Sequence, residues 1–299
     1  MLKLINLNKK YAEKNVLNNI SIQINEGDFF SLLGKNGAGK STLIGILASL
    51  IKKDTGKIYI ANYDLDIDFS TIKLMIGIVS QDYNFSQFET VLDIILNQAG
   101  YYGISKKNAY EKTKCLLKLF DLWDIKDSIS MKLSGGMKRR LMIIKALIHD
   151  PKILILDEPT SGVDITTRKL IWEFLTNINK NGKTIILTTH YLEEIEQLCN
   201  NVAIIHHGKI LFETNVQTLI NNIDSQRYLI TTPDIELFLK LKTDDFQIIK
   251  KTQTLLDISF SKKFSLNDLF RTIVENNITV YNITYEKNKL EDLFIKLTS

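Results

Sequence analysis

The nine residues Gly34-Lys35-Asn36-Gly37-Ala38-Gly39-Lys40-Ser41-Thr42 constrain this chain more than any other stretch. They fit the spacing G-x-x-x-x-G-K-[ST]. An apolar run, Phe29-Phe30-Ser31-Leu32-Leu33, precedes them and reads as a buried strand. Residues 43–48 follow and read as a helix packed on that strand. Strand, glycine-rich loop and helix are the context this spacing requires. Glycines let the backbone wrap closely, so that successive N–H groups face phosphate oxygens. The helix N-terminus adds a field that favours anions. The spacing predicts a nucleoside-triphosphate site in which Lys40 reaches the β- and γ-phosphates and the Ser41 hydroxyl holds Mg²⁺.

With 299 residues the chain has room for about two domains of ordinary size. A hydrophobic content of 44% supplies a sizeable core and argues against wholesale disorder. The net charge of +4 is a mild excess spread along the chain, which fits a solvated surface as well as nucleic-acid or membrane-surface binding and decides for neither; no nucleic-acid partner is expected. Cys115 and Cys199 are the only cysteines, too few for a disulfide framework and without metal-ligand spacing. No apolar run approaches the roughly 20 residues needed to span a bilayer. The first residues alternate as a strand does, so no signal peptide is expected. A soluble chain in a reducing compartment follows, and any membrane role needs partner subunits.

Residues 2–8 and 16–24 show period-2 alternation and read as strands of an antiparallel sheet. Tyr11 is expected in the turn between them, either as a surface aromatic or as a face on which a purine ring stacks. Residues 57–60 and 74–80 read as further strands, the second ending at Gln81. That glutamine gains interest if its strand lies beside the phosphate-loop strand. From 90 to 150 the period becomes helical, with helices expected over 90–99, 105–120 and 135–149 and with Thr90 and Ser105 as caps. Strands at 152–156, 183–189, 202–206 and 210–213 alternate with helices at 166–180 and 191–199, the pattern of a parallel α/β sheet. After residue 220 the order is β-α-β-β-α-β, over 226–231, 233–242, 246–250, 254–260, 264–277 and 278–285. A last helix is expected over 288–298. This order suggests a small ferredoxin-like module with no chemistry of its own.

Two further clusters carry chemical potential. Asp157 and Glu158 end the apolar strand 152–156. Adjacent carboxylates at a strand end point in different directions, so one can serve a metal and the other a water. Asp157 is expected on or behind the Mg²⁺, and Glu158 is expected to polarise a water that attacks the γ-phosphate. Gln81 and His190 also end strands of the same sheet, where α/β proteins bind ligands. Gln81 is expected at the metal or the attacking water, and His190 at the γ-phosphate. Leu133-Ser134-Gly135-Gly136-Met137 opens a helix with free N–H groups and a hydroxyl. It is either a second anion cradle or an ordinary serine cap.

Taken together these motifs resemble the ATP-binding subunits of ABC transporters over about residues 1–220. The phosphate loop is 34–42 and the acidic strand end 153–158. The signature is Leu133-Ser134-Gly135-Gly136 and the glutamine loop is at Gln81. The D-loop is Ser161-Gly162-Val163-Asp164, the switch histidine His190 and the aromatic Tyr11. Asp157-Glu158-Pro159-Thr160-Ser161-Gly162-Val163-Asp164 and Thr188-Thr189-His190-Tyr191-Leu192-Glu193-Glu194 are most similar to type-2 exporters, whose membrane subunits are separate chains. The ending Leu290-Glu291-Asp292-Leu293-Phe294 also resembles their tails. Met137 stands where the family signature has glutamine, which removes one polar group and leaves Ser134 and the glycines.

The resemblance implies an α/β ABC ATPase fold. It would comprise a parallel RecA-like core, an antiparallel β subdomain and a helical subdomain at about 82–150, followed by the small α+β module at 221–299. It implies ATP and Mg²⁺ as ligands and a head-to-tail dimer with ATP between two copies. There Ser134, Gly135, Gly136 and Asp164 would act on the nucleotide held by the partner's loop. It also implies membrane-spanning permease subunits docked on 82–150, and a peripheral place on the cytoplasmic face of the membrane. Two other classes share these motifs. Translation-type ABC proteins carry two phosphate loops per chain and repair-type ones a long coiled coil, and neither is present here. A regulatory ATP binder without hydrolysis does not need an intact Glu158 and His190.

Overall fold

Continuous apolar strands can be covered only by burying both faces, and those of this chain are covered in that way. The computed structural model describes residues 1–221, 225–241, 246–261 and 264–285. In chain order the first elements are β1 (Leu2–Tyr11), β2 (Lys14–Ile24), β3 (Phe29–Leu33), α1 (Lys40–Leu47), β4 (Thr55–Ile60), β5 (Tyr63–Asp64), α2 (Phe69–Ile72) and β6 (Ile76–Val79). Then come α3 (Val91–Tyr101), α4 (Lys106–Leu119), α5 (Gly135–Leu147), β7 (Ile153–Asp157), α6 (Ile165–Lys180), β8 (Thr184–Thr189), α7 (Leu192–Leu198), β9 (Asn201–His206), β10 (Lys209–Asn215) and α8 (Val216–Asn221). Every residue of β3, β7 and β8 is buried.

These strands form a sheet of order β10-β9-β3-β8-β7-β6. Its inner pairs are parallel and only the β10 edge is antiparallel. A second, antiparallel sheet has order β2-β1-β4-β5. Helix α1 lies between the two. Its Leu43, Ile44, Ile46 and Leu47 join one core with Leu4, Ile20 and Ile58 of the antiparallel sheet and Ile153, Ile155, Ile186 and Ala203 of the parallel one. A helix buried on all sides is apolar on all sides, and α1 is so except at Lys40-Ser41-Thr42.

Helices α3, α4 and α5 pack together between β6 and β7 in sequence. The Thr90 side chain caps α3 by accepting from the Asp93 N–H at 3.1 Å. Ser105 is the N-cap residue of α4, but its side chain makes no capping bond. Three other expectations change. Residues 74 and 75 are not strand: their N–H groups close the turn after α2 on Thr71 and Ile72, and Leu74 is exposed. Tyr11 is the last residue of β1, paired with Lys14, rather than part of the turn. Strand β6 neighbours β7, not the phosphate-loop strand β3, whose neighbours are β8 and β9.

The chain divides into two compact units, Met1–Val216 and Gln217–Ser299. That division and the expected boundary after residue 220 both fall inside α8. The second unit holds β11 (Ser225–Thr231), α9 (Ile235–Lys240), β12 (Phe246–Lys250), β13 (Leu255–Ser261), α10 (Leu266–Glu275) and β14 (Asn282–Tyr285). Its sheet has order β12-β13-β11-β14 with all neighbours antiparallel. This is the order of two interlocked β-α-β units. Tyr228, Phe238, Phe246, Phe260 and Ile273 are among its core residues. Strand β14 starts later than expected because Thr279 bonds to side chains. Its N–H donates to Asp234 at 2.8 Å and its carbonyl accepts from the Thr232 hydroxyl at 2.6 Å. The helix expected over 288–298 lies outside the described residues. Among the described residues no helix is long and apolar enough to cross a membrane.

The buried strands set a stability expectation. Ile155 of β7 is fully buried in the core shared with α1. Ile155→Ala is expected to cost about 2–5 kcal/mol, whereas Leu50→Ala, at an exposed position, changes stability by about 0.5 kcal/mol or less. Urea unfolding of the two variants without nucleotide checks the contrast.

Candidate nucleotide site

Helix α1 starts without a side-chain cap and without an acidic residue in its first turn. Its first N–H groups have no partner within the helix, and Gly39 brings the chain into that turn at φ +113°. A Cβ at Gly39 would lie 2.8 Å from the Val16 carbonyl oxygen, and one at Gly34 would lie 2.5 Å from that of Ile205. Both positions therefore require glycine for space, and Gly39 also for conformation. The result is a backbone cradle at an uncapped helix end, which fits the phosphates of a nucleotide.

Lys40 is buried at the head of this helix. Its ammonium donates to the carbonyl oxygens of Gly34 at 2.7 Å and Lys35 at 3.3 Å. Burial pulls its pKa below the ordinary lysine value, and Glu158 and Asp157 oppose that pull. The Glu158 carboxylate lies 4.0 Å from the Lys40 Nζ and 3.2 Å from the His190 Nδ1. Three expected residues from the ends of β7, β8 and the loop after β3 thus meet in one place.

Glu158 is held there by its backbone. Its φ is +48°, a left-handed conformation that costs a non-glycine residue about 1–3 kcal/mol. Its N–H donates to the carbonyl and to the hydroxyl of Thr188, at 3.1 and 3.2 Å. The same Thr188 hydroxyl donates to Asp157 Oδ1. Among the described residues Asp157 Oδ2 takes no hydrogen bond. Ser41, Asp157 and Gln81 offer oxygen donors of the type Mg²⁺ takes, so the residues present fit that ion. Ser41 and Gln81 are both exposed.

The signature residues belong to a different cluster. Ser134 caps α5 by accepting from the Met137 N–H at 3.2 Å. A Cβ at Gly136 would lie 3.3 Å from Thr167 and 3.7 Å from an Asp164 carboxylate oxygen. Asp164 caps α6, accepting from the Thr167 N–H at 2.9 Å and hydroxyl at 2.8 Å. These hydrogen bonds hold its carboxyl below the ordinary aspartate pKa. Ser134, Gly135, Gly136 and Asp164 therefore share one surface. Tyr11 is half exposed, with the Lys9 ammonium 5.2 Å from its ring centre.

Several supporting residues receive no role from the sequence, although Thr188 and Glu194 lie in the stretch 188–194 that carries the resemblance. Thr188 is one. Glu194 is another: it is 1% exposed, and its Oε1 accepts from the Thr160 hydroxyl and, at 3.1 Å, from the Trp172 indole. It ties the segment after Glu158 to the helix after His190. Arg139 is a third, with its guanidinium on the carbonyls of Ser80 and Gln81 at 2.9 and 3.0 Å. Arg139 and Glu194 sit among other charged residues, Lys138 and Arg140 and Glu193 and Glu196, so neighbouring sequence does not single them out.

The Thr188 hydroxyl can be tested without reference to turnover. Thr188→Val keeps the shape and leaves Asp157 Oδ1 without its buried donor, while the Glu158 N–H keeps the Thr188 carbonyl. It is expected to destabilise the fold by about 1–3 kcal/mol, measured by thermal unfolding, with Thr188→Ser close to wild type.

Comparison with known proteins places this site in a family. The profile described as ABC transporter matches residues 17–161. A second profile, an AAA domain described as a putative AbiEii toxin of a type IV toxin–antitoxin system, matches residues 128–196. The Nod factor export ATP-binding protein I of Rhizobium sp. (strain N33) is 40% identical over 217 residues, covering 73% of this chain and 71% of that protein. Its counterpart from Paraburkholderia xenovorans (strain LB400) is 32% identical over 291 residues, covering 97% and 94%. Among solved structures, an ATP-binding subunit of an ABC transporter superposes with a TM-score of 0.69 at 27% identity, over 74% of this chain and 92% of that one. A dimeric, post-hydrolysis ATP-binding cassette, MJ0796 bound to ADP and Pi, gives 0.66 at 29% identity, over 72% and 99%. With its uncapped phosphate cradle and its acidic strand end, the chain belongs to the ABC transporter family, as an ATP-binding and ATP-hydrolysing subunit.

Proposed function

We propose that this chain powers an exporter from the cytoplasmic face of a membrane, as a dimer in which each ATP lies between two copies. The observation that carries this reading is the position of Glu158, between Lys40 and His190 at the end of the cradle. Residues 34–42 hold the phosphates, with Lys40 leaving its loop carbonyls for the β- and γ-phosphates. Ser41, Asp157 and Gln81 hold Mg²⁺, which supplies positive charge against the phosphate oxygens. Glu158 accepts a proton from the attacking water, and its strained, doubly tethered backbone fixes the carboxylate for that task. His190 donates to the γ-phosphate, and Tyr11 stacks on the adenine.

The second cluster supplies the other half of the site. Ser134, Gly135, Gly136 and Asp164 share a surface, and in the dimer they meet the nucleotide on the partner's loop. Dimeric cassettes among the structural neighbours support this arrangement. The relatives named as export ATP-binding proteins support the direction of transport. Residues 1–220 form the ATPase domain and 221–299 an accessory module.

Membrane-spanning subunits dock on the helical segment 82–150. A groove of about 920 Å³ there is lined by Phe85, Glu89, Asp93, Tyr110 and Lys145 among others. Phe88 and Tyr101 stand 79% and 86% exposed in the same segment. Exposed aromatics beside a groove are typical of a surface that awaits a partner.

Two substitutions test the composite site. Glu158→Gln is expected to bind ATP, to form a stable ATP-loaded dimer and to lower hydrolysis by about a hundredfold or more; turnover near the wild-type rate would exclude Glu158 as the base. Ser134→Arg is expected to abolish hydrolysis, about a hundredfold or more, while monomers bind ATP within about twofold of wild type. Loss of monomer binding in equilibrium titration would place Ser134 within a single-chain site.

A further inference from the structure

Arg139 is a buried charge whose desolvation is opposed only at longer range, by Tyr83, Asp157, Asp82 and Glu158. It is 4% exposed, and among the described residues it forms no ion pair. Burying a guanidinium costs several kcal/mol after relaxation, so an apolar side chain would fill the space at lower cost. What arginine adds is a planar fork. Nη1 donates to the Ser80 carbonyl at 2.9 Å and Nη2 to the Gln81 carbonyl at 3.0 Å. Two successive peptide units are thereby fixed to one side chain of α5.

The same stretch is fastened to α5 at both sides of that fork. The Tyr83 hydroxyl donates to the Gly135 carbonyl at 3.3 Å, and the Arg139 guanidinium lies 5.6 Å from the Tyr83 ring centre. The Lys145 ammonium donates to the Asn84 carbonyl at 2.6 Å and to its side-chain oxygen at 3.2 Å. Residues 80–84 are loop, tied at successive turns to a single rigid helix. That helix carries Ser134-Gly135-Gly136 at its N-terminus. Arg139 lies only five residues after the Ser134 cap, about 7.5 Å along the axis.

We propose that Arg139 is a positioning residue that couples the two nucleotide sites of the dimer, by locking the backbone of Gln81 to helix α5. The proposal rests on the composite-site reading above. When Gln81 engages the nucleotide on its own phosphate loop, the fork carries α5 with it. The signature end of α5 then turns toward the nucleotide on the partner's loop. The fork makes one rigid lever of two groups that serve different ATP molecules.

The test uses the full chain in the Glu158→Gln background, where ATP-loaded dimers persist. Dimer formation against protein concentration is followed at saturating ATP, and monomer ATP affinity is measured separately. Adding Arg139→Met, which keeps an unbranched apolar stem, is expected to raise the concentration for half dimerisation about tenfold or more, with monomer affinity within about twofold. A merely structural role would lower binding and thermal stability together and would not separate the two readouts. Dimerisation at the parent concentration with Arg139→Met overturns the coupling and leaves the composite site standing. Failure of Glu158→Gln alone to dimerise overturns both. Where Arg139→Met loses ATP binding, Arg139→Lys decides. Its single ammonium cannot fork, so normal binding with weakened dimerisation supports the coupling. Parent-like dimerisation, or loss of binding there too, overturns it.

Discussion

The hydroxyl of Thr188 sits at the junction on which the catalytic geometry depends. It donates to Asp157 and accepts from the Glu158 N–H, so one side chain of β8 fixes both acids at the end of β7. Parallel pairing brings this about: Asp157 of β7 lies opposite Thr188 of β8. The next residue of β7's chain leaves the sheet with positive φ, which swings the Glu158 carboxylate to the side where β3 delivers Lys40. The next residue but one of β8's chain is His190, whose ring reaches the same carboxylate. Register, a backbone strain and a hydroxyl thus do together what no one of the motif residues does alone.

A buried carboxylate extends that junction outward. Glu194 accepts from Thr160 and Trp172, and among the described residues its other oxygen has no hydrogen-bond partner. Thr160 belongs to the chain leaving Glu158, Trp172 to α6 behind Asp164, and Glu194 to α7 behind His190. The segments that carry Glu158, Asp164 and His190 are therefore anchored on one carboxyl group. A buried polar atom without a partner is costly, so this anchor is a place where stability is exchanged for alignment of parts.

The phosphate cradle was legible in the sequence because its physics is local. Gly34, Gly39 and Lys40 lie close together in the chain, and strand, loop and helix are each short-range patterns. The acidic strand end and the parallel sheet were legible for the same reason, since apolar runs such as 152–156 announce burial on both faces. Non-local matters were not. Nothing near Gln81 says that its strand is an edge next to β7 rather than a neighbour of β3. Nothing in the arginine-rich turn 139–140 says that one guanidinium is buried on a loop almost sixty residues earlier. Strand 74–80 was overlong because Leu74 and Met75 are apolar, yet a turn after α2 takes their N–H groups. The second unit's strand order emerged from its element order, while the start of β14 depended on side-chain bonds from Thr232 and Asp234 that no periodicity records.

The candidate site residues fall into two clusters with different supports. The cradle, Glu158 and His190 are built on the sheet. Ser134, Gly136 and Asp164 are built at the N-termini of α5 and α6, where each polar side chain caps its own helix. A cap serves the free protein by satisfying one N–H, yet it leaves the remaining first-turn N–H groups and the helix field facing outward. The surface is thereby stable without nucleotide and still attractive to phosphate. Met137 is consistent with this economy. Its backbone N–H is what Ser134 caps, so methionine in place of glutamine removes a polar group without disturbing the cap. With methionine at the fifth position, Ser134 and the two glycines keep their place at the N-terminus of α5.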